Sequence, residues 1–291
     1  MINLNGSNPE REVSMATLTQ EQLQLVKEKA KAIRASIVKS VTAAKSGHPG
    51  GSLSIADIMA LLYFVEMKVD PKNPKDPNRD RFVLSKGHAA PALYATLAEK
   101  GYFPKDELLN LRKIGHILQG HPDMKYTPGV DMSTGSLGQG ISAAAGMALA
   151  GKIDNADFRV YSILGDGELE EGQVWEATMF AGHYKLNNLT AFVDFNGLQI
   201  DGDIKDVLSP LPIPEKFKAF NWNVIEVDGH NIVDLHNAIE SAKTYTDGPT
   251  CIVMHTVKGK GVKEMEGQAG WHGKAPSAEQ GEAFVNEIMG V

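Results

Sequence analysis

Five short runs of apolar and β-branched residues, at 81–84, 158–164, 189–194, 224–227 and 250–255, recur between segments of helical periodicity along this 291-residue chain. Strands that alternate with helices pair in parallel through crossovers, so the pattern predicts an α/β fold: a parallel sheet with helices on both faces. Runs such as Val160-Tyr161-Ser162-Ile163-Leu164 are apolar almost throughout, as strands covered on both sides must be.

The intervening helices have their own signals. Thr19 opens the first, Gln22 completes a capping box, and Leu23, Val26, Ala30, Ile33, Ile37 and Val41 recur at helical spacing. Gly47-His48-Pro49-Gly50-Gly51 should end it, and Ser54 should cap a second helix carrying Ile55, Ile58, Leu61, Leu62 and Val65. Further helices are expected over 90–100 with Pro91 near its first position, after Pro104, and over 139–150, 171–185, 214–220 and 232–245. The proline-rich stretch 70–78 reads as a surface loop, and there is no internal repeat. Residues 1–18 read as a flexible tail, with Met15 an alternative start, and 19–291 as one domain.

Composition narrows the function. A formal charge of −7 argues against partners such as nucleic acid or anionic membrane. The single cysteine, Cys251, precludes an intrachain disulfide and falls in a core strand, where a plain thiol is expected. No basic-then-apolar leader opens the chain and no apolar run nears about 18 residues. The expected location is cytoplasmic.

The chemistry concentrates at the strand ends. Strand 158–164 runs into Gly165-Asp166-Gly167, and strand 189–194 ends in Phe195-Asn196-Gly197. Ligands of open parallel sheets bind beyond the carboxyl ends of the strands, and glycines there admit a close approach to the backbone. Asp166 and Asn196 are 196 − 166 = 30 residues apart, about one strand–helix–strand repeat, so their oxygens should emerge side by side. A hard cation such as Mg²⁺ takes carboxylate, amide and carbonyl oxygens together with phosphate oxygens. Either turn alone would be ordinary turn chemistry; both together, at two strand ends, point to a metal–diphosphate site.

Histidines occupy four glycine- or proline-containing loops: Ser46-Gly47-His48-Pro49-Gly50-Gly51, Ser85-Lys86-Gly87-His88-Ala89, Gly120-His121-Pro122 and Trp271-His272-Gly273-Lys274. A lone loop histidine is usually a solvated residue, and these lack the short-range pairs and cysteine partners of a zinc site. Gly138-Gln139-Gly140-Ile141-Ser142-Ala143 fits a dinucleotide fingerprint but follows a polar, turn-rich stretch rather than a strand, so a nicotinamide site is rejected.

Gly165-Asp166-Gly167 through Asn196 resembles the thiamine diphosphate signature, and Leu164 to Ala177 is similar to its transketolase form. The four histidine loops resemble transketolase motifs in order and spacing, and the resemblance runs from Gln20 to Val291. Thr134-Gly135-Ser136-Leu137-Gly138 resembles the loop that wraps the cofactor, with Ser136 where many members have proline. The resemblance implies the following, all as expectations. Asp166, Asn196 and the Leu198 carbonyl hold Mg²⁺ (or Ca²⁺ or Mn²⁺). Thiamine diphosphate is bound by His88, Gly135, Leu137, Gly165, Asp166, Gly167, Glu171, Asn196 and His272. His48, His88, His121 and His272 are catalytic, and Lys86 adds charge over the phosphates. The reaction is reversible transfer of a two-carbon ketol unit between sugar phosphates.

In that family the aminopyrimidine and sugar phosphate are held by a second domain, whose matching segments are not found here. The expectation is therefore the N-terminal subunit of a split transketolase, completed by a C-terminal subunit in an α₂β₂ assembly, with Glu171 and Glu176 at the interface. The alternatives are a 2-oxoacid dehydrogenase E1 α-like or deoxyxylulose-phosphate synthase-like subunit, or a non-catalytic regulatory half.

Overall fold

The computed structural model describes residues 17–291, so Met15 and all but the last two residues of the expected tail lie outside the described residues. Helix α1 (Gln20–Ala44) starts at the expected capping box: Thr19 Oγ1 accepts from Gln22 N and Gln22 Oε1 from Thr19 N. It stops at Lys45, whose left-handed φ of 51° turns the chain. After α2 (Pro49–Leu53) and α3 (Ala56–Leu61), α3 runs into one π-helical turn, Leu62–Glu66. Strand β1 (Arg81–Leu84), a 3₁₀ turn at Gly87–Ala89 and α4 (Ala90–Lys100) follow. Next come α5 (Gln139–Ile153), β2 (Val160–Gly165), α6 (Gly172–His183) and β3 (Leu189–Phe195). A small hairpin, β4 (Leu198–Gln199) and β5 (Gly202–Asp203), leads to α7 (Ile204–Val207) and α8 (Ile213–Ala219). The chain finishes with β6 (Asn223–Asp228), α9 (Ile232–Thr244), β7 (Thr250–His255) and α10 (Ala278–Met289).

Strands β1-β2-β3-β7-β6 form one sheet in that order, every pair parallel. Alternate residues feed two cores. Tyr161, Ile163, Phe192, Ile252 and Met254 pack with residues of α1, α3, α4 and α9. Leu164, Ala191, Val193, Cys251 and Val253 pack on the other face with residues of α5, α6 and α8. Burying a side chain of this size contributes about 1.5–3 kcal/mol, so both faces are well anchored. The parallel sheet with helices on both faces is the one the sequence pattern predicts, and Cys251 is a fully buried core thiol whose pKa burial raises well above the usual range.

Three local expectations are corrected. Ser54 caps no helix: its hydroxyl donates to Gly51 O and to the Asp194 carboxylate, and the helix breaks around it. Pro49-Gly50-Gly51 is itself the first turn of α2, with Pro49 in the first position, where its missing N–H costs nothing. The segment after Pro104 is a 3₁₀ helix over Lys105–Asn110, not an α-helix. Helix α10 is an addition. Its signal was the capping box Ser277-x-x-Gln280, closed by a left-handed Gly290.

Candidate active site

The carboxyl ends of β2 and β3 are adjacent, with Gly165 in register with Asp194, so the turns that follow converge over one edge of a cleft of about 320 Å³. Asp166, 2% exposed, accepts from Gly167 N at 2.9 Å and from Gly197 N at 2.6 Å, which ties the two turns together. Asn196 donates its amide to Asp194 Oδ2 at 3.0 Å, so its oxygen, which accepts from Leu198 N at 3.1 Å, is left on the other side. The Leu198 carbonyl accepts from the Lys258 ammonium at 3.0 Å. Asp166, Asn196 and Leu198 all line the cleft.

This donor set fits a hard divalent cation. It offers only oxygens, and it already attracts a cation, the Lys258 ammonium. Burial, followed by the neighbouring Asp194 charge, pushes the Asp166 carboxyl up to about 7, more than its two N–H donors and Lys258 offset. A second positive charge at this place would relieve that.

Beneath the cleft, two buried carboxylates tie the loops together. Asp194, fully buried, accepts from Ser54 Oγ at 2.7 Å, Lys86 Nζ at 2.6 Å, Asn196 Nδ2 at 3.0 Å and Thr256 Oγ1 at 2.5 Å. Burial opposes its charge, but Lys86 and these donors hold it below the usual carboxylate range. Lys86 is thus no surface lysine: it is 1% exposed and commits its ammonium to Asp194 and Gly51 O while bordering the cleft. Glu168 accepts from Ser85 Oγ, Gly138 N and Gly165 N, fastening the 85–88 and 134–138 loops to the turn after β2.

The four histidine loops meet at the same cleft. His48 is central: its ring centroid lies 5.5 Å from His88, 6.2 Å from His121 and 5.3 Å from His272, and His88 is 5.0 Å from His272. Two glycines permit the approach. A Cβ on Gly50 would sit 2.9 Å from the Trp271 carbonyl oxygen, and one on Gly87 would sit 2.7 Å from Gly135 N. Gly135 and Leu137 line the cleft with His88 and His272, while His121 lies against Gly135. Glu171 is an exposed residue on the rim at the start of α6, and Glu176 faces outward one turn on.

Electrostatics make these rings neutral. Burial, then the charges of Arg112, His121 and Lys258, brings His48 down to about 4; burial, then Lys258, His48 and Lys86, brings His272 to about 3. Burial and then Lys86 hold His88 well below its usual value, and burial and then Arg112 lower His121. Lys258, brought to about 8 by burial and then by Lys86, is 3.1 Å from His272 Nδ1. An ammonium there can only donate, which places the His272 proton on Nε2, where it can serve as a hydrogen-bond donor.

Below about 6.5 the unfolded chain protonates histidines that the folded chain keeps neutral, so stability is lost as pH falls from there toward the folded values near 4 and 3. Both rings are only partly buried, so the loss expected for the pair is about 1 kcal/mol per pH unit rather than the full linkage value. Asp166, whose raised carboxyl favours the fold as pH falls from about 7, offsets part of this. Urea unfolding of wild type and His48→Asn at pH 7 and pH 5 therefore isolates the histidine share: H48N should lose less stability than wild type, and identical changes would remove His48 as a source.

Every residue expected from the sequence to hold cofactor or metal lines the cleft, and all four histidines cluster there. Lys258 and Glu168 were missed, and Asp194, which belongs to the Asp194-Phe195-Asn196 motif in the sequence, had not been expected to be the buried partner of Lys86. Lys258 follows β7 just as Asp166 follows β2, and the glycine-rich Val257-Lys258-Gly259-Lys260-Gly261 was the available signal. Helix α5 opens after a loop and not a strand, with Gly138 as its N-cap, which removes the structural context of a dinucleotide fingerprint.

Residues 25–290 match the family described as transketolase, thiamine diphosphate binding domain. The chain is 46% identical over 271 residues to the 6-deoxy-6-sulfo-D-fructose transketolase subunit SqwG of Clostridium sp. (strain MSTE9), covering 93% of this chain and 98% of that one. It is 43% identical to one of the subunits of apulose-4-phosphate transketolase from Phocaeicola vulgatus, covering 92% and 94% respectively. Human transketolase is 47% identical, with 92% of this chain spanning 43% of it. In three dimensions the fold superposes on transketolase from Campylobacter jejuni with a TM-score of 0.87 at 36% identity, over 92% of this chain and 43% of that one.

Proposed function

This chain belongs to the transketolase family, and from that premise we propose that it is the N-terminal, diphosphate-binding subunit of a split transketolase that moves a two-carbon ketol unit between sugar phosphates. The observation that carries the reading is the meeting of four neutral histidines with the Asp166–Asn196–Leu198 oxygen set in one cleft. Residues 19–291 act as one domain in this proposal.

Asp166, Asn196 and the Leu198 carbonyl would hold Mg²⁺, and His88, Gly135, Leu137, Gly165, Gly167, Glu171 and His272 would hold thiamine diphosphate. When bound, that cofactor supplies the carbon nucleophile and the electron sink for breaking and remaking a C–C bond. The protein contributes placement and proton handling. His272, with its proton on Nε2, and His88 line the cleft and can donate hydrogen bonds into it. His48 packs against both of them and His121 against His48, and their neutral imidazoles can donate to a developing alkoxide or take a proton from a hydroxyl. Glu168 and Asp194 hold the loops in register, and burial, followed by the neighbouring charges, keeps the imidazoles neutral.

A partner chain is implied by the names of the similar subunits, and we propose that it is a C-terminal, pyrimidine-binding chain in an α₂β₂ assembly, with Glu171 and Glu176 facing it. The assembly is taken to be cytoplasmic and to serve sugar-phosphate interconversion of the pentose phosphate type. Among the described residues no helix is long and apolar enough to cross a membrane. The test is reconstitution. The purified chain should give no ketol transfer with Mg²⁺ and thiamine diphosphate, and co-expression with a C-terminal transketolase subunit should restore it. Full turnover by the chain alone would defeat the split-subunit reading.

A further inference from the structure

Away from the cleft, the π-helical turn after α3 and one face of α9 bring together charged side chains that the proposed reaction does not use. They lie on the side of the sheet where α9 ends and the strands begin, for Arg159, just before β2, donates to the Ala242 carbonyl at 3.1 Å. Glu66 is the last residue of the π turn; His236 and Glu240 are four residues apart on α9 and so share a face. Their side chains are only 2%, 5% and 14% exposed. His236 Nδ1 is 2.6 Å from Glu66 Oε1, and one ligand atom from each of the three residues lies within 4.8 Å of the other two.

Lys243, one turn further along α9, places its ammonium 2.6 Å from Glu66 Oε2 and 2.7 Å from Glu240 Oε1. One ammonium is thus shared by two carboxylates, which a metal ion in its place could bind together. The Tyr161 hydroxyl, buried without a hydrogen-bond partner and within electrostatic reach of Lys243 and Glu66, adds an unsatisfied polar atom beside the cluster. Lys243 is also the most exposed member, at 28%, on a flexible stem that can swing outward. The two glutamates and the histidine are held in place by the helices that carry them. Single π turns inside helices often mark functional positions, and this one delivers Glu66.

We propose that Glu66, His236 and Glu240 form a binding site for a divalent cation of the Zn²⁺ class, in which Lys243 is the built-in cation that the metal displaces. One imidazole nitrogen and two carboxylates are a ligand set that zinc accepts, with a fourth position for water. Three protein ligands including a nitrogen are too few and too soft for Mg²⁺ or Ca²⁺. The ion would clamp α9 to the end of α3, and it is separate from the oxygen set of Asp166, Asn196 and Leu198.

The test removes the competing ammonium. Zn²⁺ titrated calorimetrically into the full-length Lys243→Met chain should bind about tenfold more tightly than to wild type, and should restore the thermal stability that K243M loses. Adding His236→Gln to K243M should abolish both effects, and comparing these two proteins cancels any zinc taken up by the cleft histidines. In the wild-type background, His236→Gln should lose one equivalent of Zn²⁺, a readout that needs no K243M protein. Zinc affinity and melting that ignore His236 in both backgrounds would overturn the proposal and leave an ion-pair cluster only.

Discussion

Replacing Asp166 by alanine should weaken cofactor binding by at least about 100-fold and lower ketol transfer in the reconstituted enzyme at least as far, while leaving the fold intact. The scale follows from second-shell partners alone, whose loss commonly costs 10–100-fold in metal affinity; Asp166 would be a direct ligand and the only carboxylate in the set. Stability should move the other way. With its carboxyl raised to about 7, Asp166 costs the folded chain stability above the ordinary carboxylate range, so apo D166A should melt no lower than apo wild type at pH 8. Cofactor affinity measured by quenching of tryptophan fluorescence, with the partner chain present, is the decisive number. Unchanged affinity would remove Asp166 as a ligand. A protein that melts much earlier would instead make Asp166 a structural residue.

The second large effect is on folding. Asp194→Ala should cost about 3–5 kcal/mol, the penalty for breaking a buried ion pair and stranding the other charge, here Lys86 at 1% exposure. For a chain of this size that is a fall of about 10 °C in melting temperature. Lys86→Met should cost a similar amount. The double variant Asp194→Leu with Lys86→Met should recover much of the loss, because no charge is then left unpaired. Thermal and urea unfolding of wild type, Asp194→Leu, Lys86→Met and the double variant closes the cycle. Equal losses in the single and double variants would mean that the pair is not the source.

The fold and the position of the cleft were legible in the sequence for one physical reason. A parallel sheet buried on both faces writes its strands as apolar runs, and the turns after those runs sit where ligands bind. Asp166 and Asn196 could be read as neighbours because 30 residues is one crossover. The histidine loops were readable as motifs, but their convergence on His48 depends on close backbone approaches at Gly50 and Gly87 that no local pattern encodes. The supporting residues were opaque for the same reason. Ser54 looked like a helix cap because a serine before an apolar run usually is one. Its partner, Asp194, is 140 residues away, and a tertiary acceptor outcompeted the local helix start. Lys86 reads from the sequence as charge over the phosphates, and that its ammonium is committed to a buried carboxylate emerges only once Asp194 is placed beneath it.

The shared carboxylate of Asp194 also bears on how such a site can change over generations. Ser54, Lys86, Asn196 and Thr256 come from four separate stretches of chain, yet each directs a donor at the same two oxygens. A change at any one of them alters what the other three contribute, so their substitutions are epistatic and not independent. Homologous drift at these five positions should therefore proceed as a set or not at all. A library that randomises them one at a time will underestimate which combinations the active site can accept.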